Sequence, residues 1–152
     1  MRLEDAFYIS NNQLDRFYRS MRLSGEIVTD TVISNQCCLK LIVRFNTNSC
    51  DLCQDIVFTY LKEYSKIIGR DNILFFGTFN NENEIQQYRN RLDQLGTVYN
   101  ISKGQIVNDI ESMNTPYLFV IDEFNRYVNV FIPEKNNHHI LKDYLDSVVK
   151  IL

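Results

Sequence analysis

Leu39–Phe45, LKLIVRF, is followed by the short stretch NTNS and then by Cys50-Asp51-Leu52-Cys53, CDLC. The reading of these fifteen residues decides the fold. LKLIVRF is a nearly continuous apolar run, the pattern of a strand buried on both faces, as in a parallel sheet. Asn46–Ser49 reads as a short loop. From about Cys50 to Ile68 the pattern is that of an amphipathic helix. Cys53, Ile56, Val57, Tyr60, Leu61, Tyr64 and Ile68 fall on one stripe, and Asp51, Gln54, Asp55, Lys62, Glu63 and Lys66 fall mostly on the other. Gly69 ends the helix.

Downstream, Asn72–Phe79 (NILFFGTF) reads as a second buried strand. Glu82–Leu95 carries a helical stripe of Ile85, Tyr88, Leu92 and Leu95, closed by Gly96. Thr97–Ile101 is a short strand, and Gln105–Met113 a short helix or turn. Thr115-Pro116 precedes the strand Tyr117–Asp122 (YLFVID), Glu123–Arg126 is a turn, and Tyr127–Ile132 completes a hairpin. Asn136 caps a last helix to Leu152, with Ile140, Leu141, Tyr144, Leu145, Val148 and Val149 inward.

Upstream, Ser10 or Asn11 caps a helix over about Asn12–Met21. Gly25 breaks it, and Glu26–Ser34 reads as an edge strand. Residues 1–36 therefore form an N-terminal extension and residues 37–152 one domain. Within that domain strands and helices alternate, and a hairpin and a helix close it. Such a chain is an α/β protein with a central mixed, mostly parallel sheet flanked by helices.

Composition agrees. The 152 residues are 45% apolar and 23% charged, a globular balance, and 19 aromatic rings supply a sizeable core. The net charge of −3 leaves no basic patch for nucleic acid. No apolar run approaches the ~20 residues that span a bilayer. Met1–Ser10 lacks the apolar stretch of a signal peptide. As written, the chain is expected to be soluble.

A CxxC that opens a helix directly after a buried strand reads as a dithiol redox site. The first N–H groups of a helix lack intrahelical partners, and they and the helix dipole favour a thiolate over a thiol. Cys50 is the expected attacking thiol. Cys53, one turn along, is placed to resolve a mixed disulfide. A structural disulfide and a metal site are the alternatives. A tetrahedral zinc site needs four ligands. Cys37 and Cys38 lie at the other end of a strand that carries the chain roughly 20 Å away. They read as small apolar residues, and His138 and His139 as solvated polar ones. Neither a metal nor a bound cofactor is expected.

Residues 39–152 resemble thioredoxin-like domains, in particular those of the bacterial extracytoplasmic TlpA/ResA type. Three features carry the resemblance: LKLIVRF leading through a loop to CDLC at the head of a long helix, Thr115-Pro116 before YLFVID, and Asp122 at the turn before the final strand and helix. The resemblance implies a thiol-disulfide oxidoreductase acting on protein dithiols or disulfides, resupplied with electrons by another thiol protein. It implies a cis bond at Pro116 facing the CxxC, so that Thr115 can pair with a bound peptide as with an added strand. It also implies the bacterial periplasm or cell envelope, with an export or anchor segment outside these residues. Without such a segment the expectation is the cytoplasm.

Three positions depart from the family pattern. Ser49 stands where a Trp is usual, Asp51-Leu52 where Gly-Pro or Pro-Pro is usual, and Arg44 where thioredoxin carries a buried Asp. Asp51 is a like charge beside a Cys50 thiolate and disfavours it, which makes the couple more reducing. Arg44, where it reaches the thiols, acts in the opposite sense. The expected direction is reduction. The alternatives are a redox-weak protein-binding module of the same fold and a peroxidase that would use Thr47 and Arg44 beside Cys50.

Overall fold

Strand β1 (Lys40–Asn46) is the centre of the sheet. A computed structural model of the chain describes residues 39–102, 110–121, 127–133 and 138–152. The expected helix and strand of residues 1–36, Cys37, Cys38, most of Gln105–Met113 and the turn from Asp122 to Arg126 lie outside the described residues.

Five strands form one sheet in the order β3-β2-β1-β4-β5. β1 pairs in parallel with β2 (Ile73–Thr78), and β2 with β3 (Thr97–Asn100). β1 pairs antiparallel with β4 (Tyr117–Ile121), and β4 with β5 (Tyr127–Phe131). Helix α1 (Asp51–Ile68) joins β1 to β2, α2 (Glu82–Leu92) joins β2 to β3, and α3 (His138–Ile151) follows β5. This is a mixed α/β architecture, a central five-stranded sheet flanked by helices, as the alternation of strands and helices in the sequence implies.

Alternation along β1 divides the core. Leu41, Val43 and Phe45 face Val57, Phe58 and Leu61 of α1, Leu92 of α2, and Leu141, Tyr144, Leu145 and Val148 of α3. Ile42 faces the other way, with Leu74, Phe76, Tyr117, Phe119 and Ile121. Both faces are covered, by different means. Because β1, β2 and β3 step in one direction across the sheet, their right-handed crossovers place α1 and α2 on one side. The opposite face receives Ile101 and Ile110 from the connection between β3 and β4.

Element ends follow local chemistry. Gly69, at φ 96°, ends α1 in a conformation costly for residues with a Cβ, and its N–H donates to the Ser65 carbonyl at 2.8 Å. Helix α2 stops at Leu92, short of the expected Leu95. There the N–H groups of Leu95 and Gly96 both turn back to the Leu92 carbonyl, at 2.8 and 3.1 Å, and tighten the last turn. The pairing of β4 with β5 shifts register between Leu118 and Val120. Opposite that shift Asn129 sits at φ 54°, and its carbonyl accepts from the buried Tyr144 hydroxyl at 2.6 Å.

Phe45, at the end of β1 nearest the CxxC, packs against Phe58 and Phe79 edge-on and stacks on Tyr88, with ring centroids 5.3–5.8 Å apart. Gly77 makes room for this cluster, since a Cβ there would lie 2.8 Å from the Phe45 ring. Phe45→Ala is expected to cost about 3–5 kcal/mol through lost burial and a residual cavity. In urea denaturation the midpoint should fall with the slope unchanged.

Candidate dithiol site

The site forms where β1 gives way to α1. Cys50 is the N-cap of α1, and its Sγ accepts from the Cys53 backbone N–H at 3.2 Å. The sulfur therefore lies where the helix presents its unpaired N–H groups and the positive end of its dipole. Cys50 is half-buried and Cys53 is 6% exposed. Both are thiols in the structure, with no disulfide between them. Asp51 and Leu52 point outward from the first turn.

The loop that delivers Cys50 is tied down by buried polar groups. The Asn46 carbonyl accepts from the Ser49 N–H at 2.8 Å, the Ser49 hydroxyl at 2.6 Å and the Gln54 side-chain amide at 2.8 Å. The Gln54 amide also donates to Ser49 Oγ at 2.8 Å, and its Oε1 accepts from the Tyr88 hydroxyl at 2.9 Å. Gln54 is 2% exposed, not on the polar stripe where its residue type suggested. Its position explains this, since 54, 57, 58 and 61 are one helical stripe with Val57, Phe58 and Leu61. That spacing was the available signal. Ser49 is buried as part of the same network.

Outer contacts come from two other loops. Asn80 and Asn48 exchange side-chain amide hydrogen bonds at 3.2 Å. Glu84, in the first turn of α2, accepts from the Asn80 N–H at 2.9 Å and from the Thr47 hydroxyl at 2.5 Å. The Asn114 side chain donates to the Asn48 carbonyl at 3.3 Å. That bond ties the segment before Thr115-Pro116 to the loop before Cys50, so the structure brings the two sequence motifs together.

The peptide bond before Pro116 is trans, since no bond among the described residues is cis. This corrects the expected cis-proline. The chain reverses instead at Asn114, which adopts the left-handed conformation (φ 54°, ψ 45°) after a single 3₁₀ turn at Glu111–Met113. With the reversal made there, the bond keeps the form that X–Pro intrinsically prefers. Thr115 is half-buried and Pro116 buried.

Arg44 does not sit with the thiols. It leaves β1 on the face opposite α1 and grips Glu111 with two hydrogen bonds, Nε to Oε2 at 3.0 Å and Nη2 to Oε1 at 2.8 Å. Its Nη1 donates to the carbonyls of Phe45 and Phe76 at 2.8 and 3.2 Å. The charge expected to tune the cysteines is engaged by a carboxylate contributed by a distant part of the chain. The peroxidase arrangement loses both its parts, since Thr47 donates to Glu84 and Arg44 faces Glu111. Among the described residues no cluster of His, Cys, Asp and Glu could hold a metal ion, and no helix is long and apolar enough to cross a membrane.

A scan of protein-family models and a search of curated proteins gave no match. Among solved structures, the chain is similar to a thiol:disulfide interchange protein of the thioredoxin family from Chlorobium tepidum TLS. The identity is 14%, over 76% of this chain and 84% of that one, with a TM-score of 0.46.

Hydrogen bonds from Thr47 and Asn80 hold the Glu84 carboxyl below the ordinary glutamate value, burial opposing them. A group whose proton affinity falls on folding stabilises the fold when ionised, and that contribution is lost as pH drops through its folded value. Wild type should therefore lose more stability than Glu84→Gln between about pH 6 and pH 3. Because the group lies near the surface, the difference should stay within about 1 kcal/mol. Urea midpoints of both proteins across that range check it.

Proposed function

We propose that the protein is a thiol-disulfide oxidoreductase acting on protein disulfides in the reducing direction. The observation that carries this reading is the hydrogen bond from the Cys53 N–H to Cys50 Sγ at the head of α1. It holds a half-buried sulfur at a helix N-terminus, with a second, buried thiol one turn along. The Cys50 thiolate attacks one sulfur of a partner disulfide, and the partner's other sulfur leaves as a thiolate. Cys53, after losing its proton, attacks Cys50 Sγ. That step releases the partner's second thiol and leaves a Cys50–Cys53 disulfide. Two electrons have passed to the partner, and another dithiol protein returns them. With Pro116 on a trans bond, Thr115 owes its place to Asn114, whose side chain ties this segment to the loop before Cys50. From there Thr115 presents backbone groups to the extended partner chain, as an added strand would need. Asp51, exposed beside Cys50, disfavours the thiolate, and Arg44, bound to Glu111 on the opposite face, does not offset it. Asp51 thereby shifts the couple in the reducing direction. The bacterial cell envelope is the compartment we propose, on the family resemblance.

Titration in glutathione or dithiothreitol buffers, with Cys37→Ser/Cys38→Ser as background, should give a reversible two-electron couple between about −200 and −300 mV. Cys50→Ser should reduce a protein disulfide no faster than the uncatalysed background. Cys53→Ser should accumulate a mixed disulfide that a mass measurement detects. Equal, near-zero rates for wild type and Cys50→Ser would favour the redox-weak binding module instead.

A further inference from the structure

Arg44 is a charged side chain only 3% exposed on the central strand, and the dithiol chemistry makes no use of it. A buried ion pair is a poor source of stability, because the cost of desolvating two charges offsets most of their attraction. What it supplies is direction. A guanidinium bound to a carboxylate through two parallel hydrogen bonds fixes distance and orientation together. Here it fixes Glu111, the first residue of the 3₁₀ turn that leads into Thr115-Pro116.

Glu111 is held from a second side. Tyr117, directly opposite Arg44 in the pairing of β1 with β4, donates its hydroxyl to Glu111 Oε2 at 2.6 Å. The carboxylate thus bridges β1 and the first residue of β4 and closes residues 111–117 into a short loop. The other point of attachment is Asn114, whose amide donates to the Asn48 carbonyl at 3.3 Å, two residues before Cys50. The segment is clamped below by Glu111 and above by Asn114, with Thr115-Pro116 between the clamp and β4.

We propose that Glu111 is a positioning residue for partner binding. Held by Arg44 and Tyr117, it sets the Thr115-Pro116 backbone at the height from which a partner chain can pair with it while its disulfide meets Cys50. The proposal rests on the oxidoreductase reading. It assigns Glu111 and Asn114 to recognition of a polypeptide substrate, not to thiol reactivity. A small disulfide needs no backbone pairing and does not depend on the clamp.

The test compares a protein disulfide, insulin, with a small aromatic disulfide, 5,5′-dithiobis(2-nitrobenzoate). Glu111→Ala should raise KM for insulin about tenfold with kcat little changed. Turnover of the small disulfide and the redox potential should stay at their wild-type values. Asn114→Gly keeps a residue suited to the left-handed conformation and loses only the bond to Asn48. Asn114 is exposed, so this variant should fold and show the same selective loss, smaller in size. Equal loss on both disulfides, a shifted potential, or unchanged KM for insulin in Asn114→Gly would overturn the proposal. If wild type reduces neither disulfide, the oxidoreductase reading falls and the proposal with it. That result is distinct from one in which wild type reduces both and the variants show no selectivity.

Discussion

Strand β1 is sealed on both faces, with Leu41, Ile42 and Val43 wholly inaccessible to solvent, and this constraint governs where chemistry can occur. A strand so enclosed offers no reactive surface along its length. Its functional groups must emerge where it ends, at Asn46, and the chain must there turn into α1 without leaving backbone groups unpaired. The Asn46 carbonyl solves both problems. By accepting from the Ser49 backbone, the Ser49 hydroxyl and the Gln54 amide it curls the loop tightly enough for Cys50 to cap the helix. The cysteine sulfur does the work of the serine or aspartate oxygen usual at that position. The atom that caps the helix is the same sulfur that the positive end of the helix dipole faces.

Buried polar groups concentrate at this corner. Of the four among the described residues, Arg44, Ser49 and Gln54 lie within six positions of Cys50, and only Ser65 is remote. An unsatisfied polar atom in such a place costs about 1–3 kcal/mol, so each needs its partner. Gln54 finds Asn46, Ser49 and Tyr88, while Arg44 finds Glu111 and two carbonyls. The two sets lie on opposite faces of the sheet and perform different tasks. One shapes the loop that carries Cys50. The other anchors the segment that lies across from it.

Pattern alone made most of the architecture legible. LKLIVRF, NILFFGTF and YLFVID are each β4-like or β1-like runs that water cannot accommodate, and each becomes a buried strand. The long helix after CDLC and the break at Gly69 are equally local, because capping and backbone freedom act over a few residues. Gln54 was legible in principle, since its helical angle places it with Val57 and Leu61. Residue type misled, because an amide reads as solvated until its partners are known.

The order of strands and helices, the cysteine pair at the head of α1 and its likeness to a redox dithiol were determined by the sequence itself. They depend on periodicity and short-range spacing, which a linear chain displays. Only the tertiary structure decided that Arg44 serves Glu111, 67 residues away, and turns from the cysteines. It alone decided that Asn114 meets Asn48, and that the reversal at Asn114 leaves Pro116 on a trans bond. The physical reason is common to all three. A charge or an amide can satisfy itself with any complementary group within about 3 Å, and sequence distance says nothing about which group the fold brings there.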